Sequence, residues 1–316
     1  MRRTPYDKPS LSYQQQIDLL RQRGMEINNP EKTLHLLSHL SYYRLSGYWH
    51  TLLKEPKSEH KFKESTTFEQ AFKLYCFDRE LRLLLTNQIE KIEVSIRAIL
   101  TYQSSIEFGT FWLSDSNNFN SSVNRRTGNK RYNETIDRIR GEINRSKENF
   151  VTDYKEKYIE TLPPSWITLE VCSFGNLSTI YSLLKNGHIK RKIAQEFKLP
   201  DSVFQTWLHS LVYVRNICAH HSRLWNKSLK IQPISPRRPR EPWIQNFNTI
   251  DTRTGDKVDV KDKVYYTISM IQYLLNTINP NNTFKEKLSA LFEKYPTIDK
   301  KAMGYTDTWN EEPLWK

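Results

Sequence analysis

Apolar residues recur three and four positions apart along most of this chain, and that spacing limits the fold more than any other feature. Leu85, Ile89, Ile92, Ile96 and Ile99 make one such run. Val203, Trp207, Leu211, Val214 and Cys218 make a second, and Val264, Ile268, Ile271, Leu275 and Ile278 a third. Each run lays a stripe along one face of an α-helix. Sustained alternation with period two, the mark of a half-buried strand, is hard to find. The pattern predicts an all-α fold with a long helix over about 67–103. Further helices are expected near 11–23, 31–53, 132–160, 166–185, 188–197 and 201–222, and a C-terminal pair near 259–278 and 283–295. No internal repeat is evident, so residues 1–316 read as a single helical domain.

Two stretches interrupt the helical order. Residues 115–131, "DSNNFNSSVNRRTGNKR", are rich in Asn and Ser before turning basic, and read as a mobile insertion. Residues 233–243, "PISPRRPREPW", hold four prolines and three arginines. Proline breaks helices and keeps the backbone extended, so Arg237, Arg238 and Arg240 are expected to project from a stiff loop. An ordinary solvated loop remains the alternative for both.

Composition narrows the function. A net charge of +13 and a pI near 9.5 favour polyanionic partners, with nucleic acid ahead of an acidic membrane surface. Only 9 glycines occur, and no Gly-x-Gly pair among them. The usual phosphate-cradling and dinucleotide-binding loops therefore have no sequence support. No run approaches the roughly 18 apolar residues of a membrane span. The basic N-terminus lacks the apolar stretch of a secretory signal. Cys76, Cys172 and Cys218 are odd in number and widely spaced, which fits buried thiols in a reducing compartment. The expectation is a soluble, cytoplasmic protein with no cofactor and no metal.

The segment "YVRNICAHHSRLWN" (213–226) carries Arg215, Asn216, His220 and His221 within one otherwise apolar helical stretch. Five residues along a helix turn a side chain by about 140°, so Arg215 and His220 do not share a stripe, whereas Asn216 and His220 nearly do. An arginine reaching round from the adjacent face can still converge with the histidine at the helix end. Guanidinium stabilises charge on phosphate oxygens, and imidazole transfers protons near neutral pH. Together they suit phosphodiester cleavage. A polar helix end with no chemistry is the plainer alternative, because Arg-x₄-His occurs by chance in many chains.

Five blocks in order bear on that choice: "LSYYRLSGYWHTLL" (40–53), "EKIEVSIRAILTY" (90–102), "PPSWITLEVCSFGNLSTIYSLL" (163–184), "VRNICAHHSRLWN" (214–226) and "AMGYTDTWNEEPLW" (302–315). Together they resemble the Abi-like family of bacterial abortive-infection proteins of the AbiD/AbiF type, within the HEPN superfamily. That resemblance implies a HEPN-type helical bundle, here with additional helices and a basic insertion. It also implies a metal-independent endoribonuclease toxin of phage defence or of a toxin–antitoxin system. Its Arg-polar-x₃-His motif falls on Arg215, Asn216 and His220. The 2′-hydroxyl would attack the adjacent phosphate, leaving a 2′,3′-cyclic phosphate and a 5′-hydroxyl, with Arg215 on the phosphate and His220 in proton transfer. One motif per chain implies a homodimer, and some relatives are encoded beside a small structured RNA that restrains them. Members controlled by AMPylation carry a tyrosine two residues after the histidine. Ser222 stands there in this chain, which argues against that control.

The remaining candidates concern binding. Arg125, Arg126, Lys130 and Arg131, then Lys190, Arg191 and Lys192, then Arg237, Arg238 and Arg240 form three basic runs suited to a phosphate backbone. His221 reads as a cap or an RNA contact, and Arg223 extends the motif as a further RNA contact. His35 and His39 sit at metal-ligand spacing but lack further ligands, and read as a partly exposed structural pair. Tyr42, Tyr43, Tyr48 and Trp49 read as core before base-stacking surface, and Trp225 as an anchor for the helix end. Glu170 reads as a structural salt bridge or as an acid that orients the arginine. A non-catalytic RNA-binding protein using the same basic surface is the competing function.

Overall fold

The computed structural model describes residues 5–250 and 255–316. The described residues are mostly helical, with twelve α-helices and one two-stranded hairpin. They fall into two compact units, Met1–Leu81 with Leu291–Ile298, and Arg82–Ala290 with Asp299–Lys316.

In the first unit, α1 (Tyr13–Gln22) starts at a reciprocal cap between Ser12 and Gln15, and α2 (Pro30–Leu40) starts at Asn29 with proline in its first turn. The single helix expected over 31–53 is two. Ser41 takes a left-handed φ of 63°, ends α2 through its N–H to Leu37 O (3.1 Å), and caps α3 (Tyr42–Trp49) by accepting from the Arg44 N–H at 3.3 Å. Apolar spacing runs through such a break unmarked, because both helices keep the same buried face. Ile17, Leu20, Leu37, Leu45, Trp49 and Phe68 form the core. Tyr48 is also buried, and its hydroxyl donates to Asp78 at 2.8 Å. Only Tyr43 of the aromatic set lies fully in solvent, at 89% exposure. His35 and His39 are exposed, with ring centroids 4.6 Å apart. α4 (Phe68–Phe108) begins in this unit, where Glu80 accepts from Lys294 (2.8 Å) and from the Tyr295 hydroxyl (2.7 Å).

In the second unit, three more expected helices are shorter or divided. The stretch 132–160 separates into α5 (Arg131–Arg145) and α6 (Asn149–Lys157), with Ser146 extended between them. The stretch 166–185 separates into α7 (Ser165–Val171) and α8 (Phe174–Leu183), because Ser173 caps the second through the Asn176 N–H at 3.4 Å. After α9 (His188–Glu196), α10 (Asp201–Ala219) stops three residues before the expected end. The helix expected from about 259 starts only at Val264, because Asp259 ends β2 (Lys257–Asp259), which pairs with β1 (Asn248–Ile250). Strands of three residues are too short to show alternation. α11 (Val264–Ile278) is buried on all sides from Val264 to Leu275, and α12 (Phe284–Lys294) follows. α10 packs on α8, α9 and α11.

Two irregular stretches are tied to this frame. In residues 115–131, Phe119 is buried against Trp112, and the Asn120 N–H reaches Leu183 O at 2.8 Å. Its basic part is a tight hairpin in which Asn124 N bonds Asn129 O (2.9 Å) and Gly128 supplies φ 74°. In the proline-rich loop, Trp207 Nε1 donates to Ile234 O at 2.9 Å, and Trp243 packs on Trp207 in a tilted pair with centroids 4.9 Å apart. All three cysteines are free. Cys172 and Cys218 are buried, and burial pushes the Cys172 thiol to about 12.

Candidate functional site

The polar residues of 213–226 sit where α10 ends. His220 is the C-cap, its N–H bonded to Asn216 O at 3.0 Å. The chain then reverses through a Schellman arrangement: His221 N donates to Cys218 O and Ser222 N to Ile217 O, both at 3.0 Å. The left-handed position of that motif, normally glycine, is His221 at φ 54°. His221 therefore does not continue the helix at 100° from His220, as an unbroken helix to 222 would require. Leu224 and Trp225 are buried directly beyond, so Trp225 anchors the turn. Asn216, His220 and His221 are exposed, and Arg215 is half-buried.

The charge of Arg215 acts on a carboxylate that spacing alone did not single out. Glu93 on α4 pairs with Arg97 one turn later at 2.8 Å, both side chains largely buried. Burial pushes the Glu93 carboxyl above its usual pKa, and the charges of Arg97 and Arg215 draw it back. Arg97 is fixed in turn: its guanidinium donates to Leu169 O and to Cys172 O (2.9 Å), closing the carbonyl end of α7. A chain of contacts thus runs from the α7–α8 break through Arg97 to Glu93, and the charge of Arg215 acts on the same carboxylate. An acid and a base four apart on a largely apolar helix was the available signal. Glu170 does not hold this place. It is exposed, on the rim of a groove along α4, and neither of its expected partnerships is present among the described residues.

The basic candidates divide. Lys190 is buried at 4% exposure, and its ammonium donates to Ser182 O (3.1 Å) and Leu184 O (3.4 Å) at the end of α8. Burial pushes its pKa down while Asp201 nearby opposes that. It is a buried structural group and not a surface for RNA. Arg191, Arg238 and Arg240 come together on one cavity wall at the opposite end of α10 from His220. Arg237 is exposed on the same loop, and Lys192 is half-buried on α9; neither lines that cavity. Arg125, Arg126, Lys130 and Arg131 are exposed on the 123–130 hairpin and at the start of α5. Arg223 is half-buried just past the motif.

The family described as Abi-like protein matches residues 35–226, a stretch that holds Glu93, Arg97 and the Arg215–His220 motif. The chain belongs to that family, which is associated with abortive infection in phage defence. Among curated proteins and among solved structures, nothing matches the chain. No described helix is long and apolar enough to cross a membrane.

Proposed function

We propose that the chain is an endoribonuclease toxin of phage defence that cleaves RNA without a metal, with Arg215 and His220 as its catalytic residues. The observation that carries this reading is their position. Both stand at the open end of α10, inside the family match, with Arg215 half-buried. Arg215 would hold the non-bridging phosphate oxygens. The 2′-oxygen would bond to phosphorus as the bond to the 5′-oxygen breaks. A proton would leave the 2′-hydroxyl and another would reach the 5′-oxygen, which gives imidazole two tasks. Asn216 would orient His220 or a phosphate.

One chain supplies one such histidine, so a second copy completes the site. A solvent-facing apolar strip supports that assembly: Val94, Tyr102 and Ile106 on α4 and Trp166 on α7 are each at least 50% exposed around the groove that also holds Arg97. A two-fold partner seated there would approach Arg97, and through Glu93 the environment of Arg215. The exposed basic residues are consistent with an RNA substrate and with a small structured RNA as restraint, gripped through phosphates and 2′-hydroxyls.

The test is expression in growing cells. Arg215→Ala and His220→Ala should each relieve toxicity with helical content unchanged. Full toxicity in both would remove the assignment. An intact wild type that binds RNA and never cleaves it would leave the non-catalytic reading.

A further inference from the structure

The far end of α10 holds a second concentration of positive charge. Arg191 on α9, Lys198 in the turn after it, and Arg238 and Arg240 on the proline-rich loop line one cavity of about 330 Å³. None of the four is salt-bridged among the described residues. The one carboxylate on the wall, Asp201, accepts from the Ser202 N–H at 2.9 Å and also acts on the buried Lys190, so the wall keeps four cations to one anion.

The cations are held from behind. The Tyr273 hydroxyl donates to Lys198 O at 3.1 Å, fixing the α9–α10 turn. Ile234 N donates to Thr206 Oγ1 at 3.0 Å, and the packing of Trp243 on Trp207 fastens the other end of the loop. Four like charges gathered around one concavity repel one another until an anion enters. The cavity opens where α10 begins, at a cap residue, Pro200, that offers no side-chain acceptor. The positive end of the helix dipole adds to the same field.

We infer that this cavity is a phosphate-binding site, separate from the Arg215–His220 end and taking a phosphate group of the RNA. It deepens the ribonuclease reading and rests on it for the source of the phosphate. α10 has 19 residues, so the two ends lie about 27 Å apart at about 1.5 Å per residue. A mononucleotide cannot span that distance, whereas a strand of RNA can. The cavity then serves as an anchor that sets where along a strand the cutting end falls.

The test uses the full chain carrying His220→Ala, so that RNA survives the measurement. A labelled single-stranded oligoribonucleotide, long enough to reach both ends, is titrated across a salt series. Arg238→Gln with Arg240→Gln should lower the log–log salt slope by about 1.4, about 0.7 for each lost phosphate contact. Lys198→Gln, on a different element, should lower it by about half as much, with unchanged circular dichroism in both variants. Inorganic phosphate and a nucleoside monophosphate form the second arm. If these bind the parent and not the variants while the RNA slope stays constant, the site takes a free phosphate ligand. Unchanged binding of all three probes in both variants overturns the inference. Cleavage by the chain with His220 intact is scored separately. Cleavage without cavity binding sinks only this inference, and cavity binding without cleavage sinks only the nuclease.

Discussion

The two ends of α10 offer positive charge to solvent in different ways. At the C-terminal end, Arg215, Asn216 and His220 come from a single turn and a half of chain. At the N-terminal end, Arg191, Lys198, Arg238 and Arg240 come from a helix, a turn and a distant loop. Each end adjoins a non-glycine residue in the left-handed region, His221 at φ 54° and Lys198 at φ 57°. Each of those residues closes a helix where glycine would be less strained. The C-terminal set pairs a half-buried arginine with an exposed histidine, whereas the N-terminal set is four exposed cations around one cavity. Such a division suits an end that acts and an end that holds.

The largest separation between the two ends should appear in cleavage rate. Arg215→Ala or His220→Ala should reduce cleavage by about 10²–10⁴-fold, the usual weight of a positioned acid–base group. Removing Arg238 and Arg240 should weaken RNA binding and leave the rate at saturating RNA nearly constant. Equal losses of rate from both ends would erase the distinction. Next in size is assembly. Ile106→Lys places a charge on the apolar strip and should convert a dimer to a monomer in sedimentation, with cleavage lost and the cavity still binding phosphate. A monomer that cleaves at the parent rate would remove the need for a second copy.

These differences also explain what could be read before the structure. The C-terminal motif was legible because its residues are neighbours in sequence and its spacing is helical. The all-α fold was legible for the same reason, since each stripe is local. The breaks at Ser41, Ser146 and Ser173 were not, because a serine cap leaves the apolar stripe intact across it. The basic cavity was only half legible: its arginines were listed as separate runs, and Lys198 was missed because no periodicity joins α9 to residues 238–240. Lys190 shows the converse. It looked like its neighbours in "HIKRK", yet the helix turns it inward to close the carbonyl end of α8. Glu93 carries only the weak signal of its spacing to Arg97, because the charge of Arg215 reaches it from another helix.

Smaller effects sharpen the picture. Burial raises the Glu93 pKa above 4.5, so the native state binds this proton more tightly than the unfolded chain does. Stability from this group is therefore fullest below pH 4.5 and is lost as pH rises through the raised native value. Urea unfolding of Glu93→Gln against the parent should show the parent losing ground across that window. The opposite slope would mean that Arg97 and Arg215 outweigh burial. Smallest of all, Lys198→Gly should relieve about 1 kcal/mol of left-handed strain, partly offset by the freer unfolded chain. Stability should hold or rise slightly while phosphate binding falls.

The most direct measurement is the chemistry of the cut ends. Purified protein and RNA are incubated with excess EDTA, and the products are resolved by mass. The account predicts full cleavage, 2′,3′-cyclic phosphate and 5′-hydroxyl ends, and no product from Arg215→Ala. Cleavage that stops on chelation and restarts with Mg²⁺, leaving 3′-hydroxyl ends, would contradict it and point to metal-bound water as the nucleophile.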